Sequence, residues 1–146
     1  MASWSSSLNR SVQPRKQRLY QYIAPLHIAG HFLHAPLSEE LRKKYTRRSL
    51  RVRTGDKVKI LRGQFKGTVG VIHSVSVIRR RVFVEGVGIT KRDGSKSLYP
   101  LSASKLQILE LQLDDKYRKA SLEHTKLYKK EAVAASTKTS KGGKKA

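Results

Sequence analysis

The side chains able to do chemistry in this sequence are cations, and they come in clusters. Arg79-Arg80-Arg81 stand together after Ile78, between two valine-bearing runs. Three guanidiniums at a hairpin tip can fork onto adjacent phosphates, because each presents a planar set of donors that fits two oxygens at once. Arg15-Lys16-Gln17-Arg18 and Arg47-Arg48 repeat the pattern earlier in the chain. Lys66 stands beside Gly67, whose missing Cβ either lets the backbone approach RNA or serves turn geometry; both readings stand. Phe65, at the apex of the same turn, could stack on a base. Closing the open end of a small barrel is the preferred role for it.

Other chemistries fail on spacing. His27, His31 and His34 would share one face of a helix and could, with a carboxylate, hold a metal. Pro25, Gly30 and Pro36 argue against a regular helix there, and no acid follows until Glu39, so no metal site is expected. His73 interrupts a run of valines and reads as a core or bulge histidine. The acids of the middle segment, Asp56, Glu85 and Asp93, show no close pairing for acid–base work. Gly142-Gly143-Lys144 lacks the Ser or Thr of a phosphate loop, and no serine sits in a nucleophile-elbow sequence. With no cysteine, disulfide scaffolds, zinc ribbons and thiol catalysis are excluded. Neither cofactor nor enzymatic activity is expected.

The charge says where such a protein works. Over 146 residues, 32 Lys and Arg face 10 Asp and Glu, a net charge of +22. Residues 1–50 hold nine basic and two acidic residues, 51–109 hold 13 and three, and 110–146 hold ten and five. No segment is neutral, and residues 1–38 contain no acid. Charge on this scale is the footprint of a protein that neutralises many phosphates. By length the chain is one domain, or one small domain with extensions. Met1 to Val12 lacks the apolar run of a secretory signal, and the least polar stretch, Tyr22 to Leu37, is too short and broken to cross a bilayer. No membrane partner is expected. The acid-free start has something of a mitochondrial transit peptide, but a basic arm is the preferred reading.

The elements that must carry these clusters are mostly strands. Val58 and Ile60 alternate with Lys57 and Lys59, which gives one apolar and one basic face. Val69, Val71, Val75 and Val77 follow at period two, then the arginine turn, then Val82 and Val84. Asp93-Gly94 marks a hairpin that needs positive φ, and Leu98, Leu106 and Ile108 supply two further strands. About five strands in so short a span predict a small closed barrel. The expected organisation is an extended basic arm over 1–37, a short helix over 38–46, the barrel over 47–111, a C-terminal helix over 112–135 and a disordered basic tail over 136–146. Ser38 caps the short helix, with Glu39 and Glu40 in its first turn. The C-terminal helix opens at Asp114-Asp115; its weak stripe of Leu113, Tyr117, Ala120, His124 and Leu127 is expected against a partner or solvent.

The segment Gly55-Asp-Lys-Val-Lys-Ile-Leu-Arg-Gly-Gln-Phe-Lys-Gly-Thr-Val-Gly-Val71 resembles a KOW motif, a hairpin of SH3-like barrels in ribosomal proteins and transcription-elongation factors. Ala24-Pro-Leu-His27, Ala35-Pro-Leu-Ser-Glu-Glu-Leu-Arg-Lys-Lys-Tyr45 and Arg47-Arg-Ser-Leu-Arg-Val-Arg53 are similar to one family upstream of it. Phe83-Val-Glu-Gly-Val87, Ile89-Thr-Lys-Arg-Asp-Gly94 and Leu111-Gln-Leu-Asp-Asp-Lys116 continue the match downstream. That family is the large-subunit ribosomal protein numbered twenty-four in bacteria and twenty-six in eukaryotes, in its archaeal and eukaryotic form. The resemblance spans roughly Gln13 to Arg118. It implies a mainly β, SH3-like fold and a structural role: binding large-subunit rRNA, early assembly, and a place near the polypeptide exit tunnel. Partners implied are the rRNA, neighbouring ribosomal proteins and factors at the exit tunnel, with no homo-oligomer. The location implied is the cytosolic large subunit, and the nucleolus during assembly if the source is eukaryotic. Ala29, Gly30, His31 and Val71 stand where relatives carry basic residues, so no phosphate contact is carried over to them. With His27 and Lys91, which lie in matched segments, the expected RNA contacts are Arg15, Lys16, Arg18, His27, Arg47, Arg48, Lys66, Gly67, Arg79, Arg80, Arg81 and Lys91. The competing reading is a KOW-type regulatory factor of transcription or translation that acts through protein contacts.

Overall fold

A computed structural model describes residues 4–123 of the chain. The tail over 136–146, the helix beyond residue 123, and His124 and Leu127 of its expected stripe lie outside the described residues.

Five strands form one antiparallel sheet: β3 (Lys57–Ile60), β4 (Val69–Ser76), β5 (Arg81–Thr90), β6 (Lys96–Leu101) and β7 (Leu106–Glu110). Their order is β6-β5-β4-β3-β7, so a meander of four is extended by a last strand that returns beside β3. The expected alternation holds on β3, where Val58 and Ile60 are buried while Lys57 and Lys59 are exposed. Val58 faces Ile108 and Ile60 faces Leu106 across the β3–β7 ladder. With Ile72, Val82, Val84, Val87 and Leu101 they make a mainly β, barrel-like core of the SH3-like kind expected.

On β4 the valines behave differently from the simple period. Val69 and Val71 point outward, 45% and 38% exposed, and it is Ile72 that enters the core. The β4–β5 register then shifts between Ile72 and Ser74. This bulge falls on His73, one of the two roles expected for it; the side chain is exposed, with Nδ1 3.7 Å from Glu85 Oε1. One inserted residue reverses the parity of the strand, so Val75 and Val77 turn back against the core. Gly70 is fixed by space, because a Cβ there would stand 2.7 Å from the Glu85 carbonyl oxygen.

The described part of the arm expected over 1–37 departs from an extended course. It holds α1 (Pro14–Ile23) and α2 (Leu26–Ala29), a 3-10 turn over Gly30–Leu33, and the brief strand β1 (His34–Pro36). Pro14 at the first position starts α1, where its missing N–H costs nothing. The Gln17 side chain donates to the Asn9 and Ser11 carbonyls at 2.7 and 2.6 Å and ties the preceding turn to the helix. Further on, Leu33, Ala35 and Leu37 are fully buried, so the end of the supposed arm is core.

The short helix predicted before the barrel is present as α3 (Glu39–Tyr45). Ser38 caps it, accepting from the Leu41 N–H, and Thr46 closes it in the left-handed region at φ 55°. β1 and a second brief strand, β2 (Ser49–Arg51), flank this helix and pair antiparallel with His34 opposite Arg51.

The C-terminal helix also departs from its predicted face. In the described part, α4 (residues 116–123), Tyr117 is exposed while Arg118 and Leu122, one turn apart, are buried. Leu122 belongs to the core cluster rather than to a partner or solvent. Arg118 is held by Asp56, which is fully buried at the start of β3. Its two guanidinium nitrogens lie 2.7 and 2.8 Å from the two carboxylate oxygens. The same guanidinium donates to the carbonyls of Gln112 and Arg51, and the carboxylate accepts from the backbone N–H of Arg53 and of Gln112. Both buried charges are thus paired and hydrogen-bonded, the condition under which an ion pair is tolerated in a core.

Candidate nucleic-acid interface

The arginine cluster sits where the sequence places it, at the turn between β4 and β5. Ser76 pairs with Arg81 at the base, leaving residues 77–80 as the loop. The Arg80 N–H closes the loop onto the Val77 carbonyl at 3.2 Å. Arg80 itself adopts φ 54°, a left-handed conformation uncommon for a residue with a Cβ. Arg79 and Arg81 are exposed and Arg80 is half-buried.

What half-buries Arg80 is the N-terminal segment. Its guanidinium carbon stands over the Phe32 ring, 5.9 Å from the centroid. Phe32 meets Tyr20 of α1 edge-on at 6.0 Å, and Tyr20 meets Trp4 at 5.8 Å. A continuous row of rings thus runs from the N-terminal segment to the hairpin tip. Beside it lies an open cleft of about 400 Å³, lined by the three arginines with Gln21, Phe32, Ser102 and Ser104. Among the described residues no ion pair involves Arg79, Arg80 or Arg81. The Arg and Lys ion pairs of the described residues lie elsewhere: Arg118 with Asp56, Arg53 with Asp115, Lys57 with Glu110.

A second basic group surrounds the turn after β3. Gly63 and Gly67 both take positive φ, 104° and 93°, and the Gly67 N–H bonds the Ile60 carbonyl. The turn geometry alone therefore requires glycine at 67, and the space beyond its Cα is open. Lys66 is exposed here, and the Lys105 ammonium lies 4.0 Å from where a Gly63 Cβ would stand. Phe65 packs against Tyr99 with centroids 5.4 Å apart, in the barrel-closing role preferred for it. Lys91 is exposed at the β5–β6 hairpin, whose turn is built on Gly94 at φ 80° and on Asp93, as the sequence predicts. The hydroxyl and backbone N–H of Ser95 hold the Asp93 carboxyl below the usual carboxylate range.

A third group forms around β1 and β2. His31 and His34 stand ring to ring at 5.8 Å, and Arg51 lies against Gly30, where a Cβ would come within 2.9 Å of its guanidinium. Burial, and then the nearby charges of His31, Arg47 and Arg51, push the His34 imidazole down from its ordinary value of 6.5. Arg47 also reaches α4, donating to the Ser121 hydroxyl at 3.2 Å. His27 is exposed on α2, Arg48 is exposed beside β2, and Arg15, Lys16 and Arg18 are exposed on α1. Phe32, Tyr20, Ser102 and Ser104 are not among the residues expected at the interface from sequence. They carry no charge, and no periodic signal marks them as neighbours of the arginine turn.

A small basic barrel that presents arginines without a carboxylate partner among the described residues has the features of a nucleic-acid-binding scaffold. The chain belongs to the ribosomal protein family described as L26 in eukaryotes and L24 in archaea, whose model matches residues 11–125. It is 50% identical over 113 residues to large ribosomal subunit protein uL24 of Methanocorpusculum labreanum, across 77% of this chain and 93% of the relative. Identity to the uL24 protein of Methanocella arvoryzae is 49% over 113 residues, covering 77% of this chain and 91% of that one. The uL24 protein of Methanospirillum hungatei matches at 47% over 112 residues, with 77% and 93% covered.

Proposed function

We propose that this chain is a structural, non-catalytic component of the large ribosomal subunit that binds rRNA through three basic groups, the arginine turn foremost. The observation that carries the reading is the open cleft in which Arg79, Arg80 and Arg81 have no carboxylate partner among the described residues. Cations left unneutralised on a rigid hairpin are fitted to receive phosphates and release their counterions. The similarity to archaeal large-subunit proteins supplies the object those phosphates belong to. Arg15, Lys16 and Arg18 on α1, His27, Arg47 and Arg48, Lys66 with Gly67, and Lys91 extend the contact outward from the cleft.

The protein joins the subunit during early assembly and lies near the polypeptide exit tunnel, as its family resemblance implies. It acts there as a single copy among rRNA and neighbouring ribosomal proteins, in the cytosol. Factors at the exit tunnel are further partners. Hydroxyl-radical footprinting of large subunits reconstituted with the Arg79→Ala/Arg80→Ala/Arg81→Ala chain tests the central contact. The expected result is loss of protection at one confined stretch of rRNA while the rest of the footprint persists. An unchanged footprint returns the turn to a solvated cluster.

A further inference from the structure

The row of rings that ends at Arg80 is more than phosphate binding requires. Trp4 and Tyr20 meet tilted at 5.8 Å, Tyr20 and Phe32 meet edge-on at 6.0 Å, and the Arg80 guanidinium carbon stands over the Phe32 ring at 5.9 Å. A positive φ at Arg80 and the closed turn beneath it set this residue apart from its exposed neighbours Arg79 and Arg81. The cleft beside it, about 400 Å³, falls in the size range of sites for small molecules, about 300–1,000 Å³, and is too small for a helix. Among the described residues its lining includes no carboxylate, and it holds the Ser102 and Ser104 hydroxyls 3.1 Å apart.

We propose that this cleft takes one unpaired ribonucleotide, its base stacked on the Arg80 guanidinium that Phe32 backs from the other side. Arg79 and Arg81 hold the flanking phosphates, and the serine hydroxyls face the ribose, whose 2′-OH can both donate and accept. Guanidinium planes are a regular platform for unstacked bases in RNA recognition. An acidic peptide would use the charges but not the stacked plane, so the row favours RNA. The inference rests on the rRNA-binding reading and deepens it.

The test uses the full chain and two RNA hairpins that differ at one bulged position, adenine in one and an abasic residue in the other. Anisotropy titrations over a range of salt should show about tenfold tighter binding of the adenine bulge, the scale of one base stacked on a planar side chain. Arg80→Lys keeps the charge and loses the plane. It should abolish the preference while leaving the salt slope unchanged. Arg79→Ala with Arg81→Ala should weaken both RNAs equally. Equal binding of the two hairpins by the parent chain, or a preference that survives Arg80→Lys, overturns the inference. Failure to bind either RNA in a salt-dependent way overturns the rRNA-binding reading itself, and this inference with it.

Discussion

Removing either charge of the Asp56–Arg118 pair strands the other in the core. Asp56→Ala or Arg118→Met should each cost about 3–5 kcal/mol, the usual penalty for breaking a buried pair. Urea unfolding measures it, and a loss below about 1 kcal/mol would mean that water relieves the remaining charge. Nothing local announces this pair: its members lie 62 positions apart, and Asp56 in the sequence is one acid among many cations. A buried partnership between distant residues leaves no trace in periodicity. The third basic group makes a prediction about pH. The His34 imidazole is depressed by burial and by His31, Arg47 and Arg51, so in mildly acid solution the unfolded chain binds more protons than the folded one. Stability contributed by neutral His34 is full above 6.5 and is lost as pH falls from there through the lower folded value. Urea midpoints at about pH 7.5 and 5.5 should therefore converge in His34→Gln relative to the parent. An equal drop in both proteins would contradict the assignment.

At the scale of elements, the hairpins rest on a few positions with no slack. Gly70→Ala would drive a methyl group into the Glu85 carbonyl and the Val84 side chain, both 2.7 Å from the new Cβ. A cost of about 1–3 kcal/mol is expected from overpacking, visible as a lowered thermal midpoint; a neutral result would show that β4 and β5 can part without penalty. The strands are legible in the sequence because their signals are local: alternation on β3, Asp93-Gly94 at the β5–β6 turn, Ser38 before α3. The orientation of the valines on β4 is not, since the bulge at His73 reverses it and a bulge is decided by both strands. The N-terminal helices are hidden for a related reason. α1 buries no residue fully and its apolar positions, Leu19, Tyr20 and Ile23, are confined to its second half, yet Pro14 at its first position is a readable start signal. The arginine turn carries its own prediction. Replacing Arg79, Arg80 and Arg81 with Ala should flatten the slope of log affinity against log salt by about 0.7–0.9 for each phosphate no longer neutralised. An unchanged slope on large-subunit rRNA fragments would mean that the turn touches no phosphate.

The whole molecule is organised around a division of its charge. Acids are scarce and some are spent on structure: among the described residues Asp56, Glu110 and Asp115 are taken up by Arg118, Lys57 and Arg53, which fasten the ends of the barrel and α4. The Tyr117 N–H and then Arg53 hold the Asp115 carboxyl below the usual range, so this fastening persists into more acid solution than an ordinary carboxylate would allow. The whole chain carries a net charge of +22, and among the described residues exposed cations stand on turns and on the N-terminal helix around a small β core. The overall role is legible from composition and motif, because net charge and a glycine-punctuated hairpin survive any detail of packing. The cleft is not, since it joins residues from α1, the Gly30–Leu33 turn, the β4–β5 loop and the segment after β6. The most direct measurement of the central claim is sedimentation of the chain from its own cells on a gradient, with a moderate salt wash. The protein should remain with the large subunits through the wash. Its appearance only in the free fractions would contradict the account.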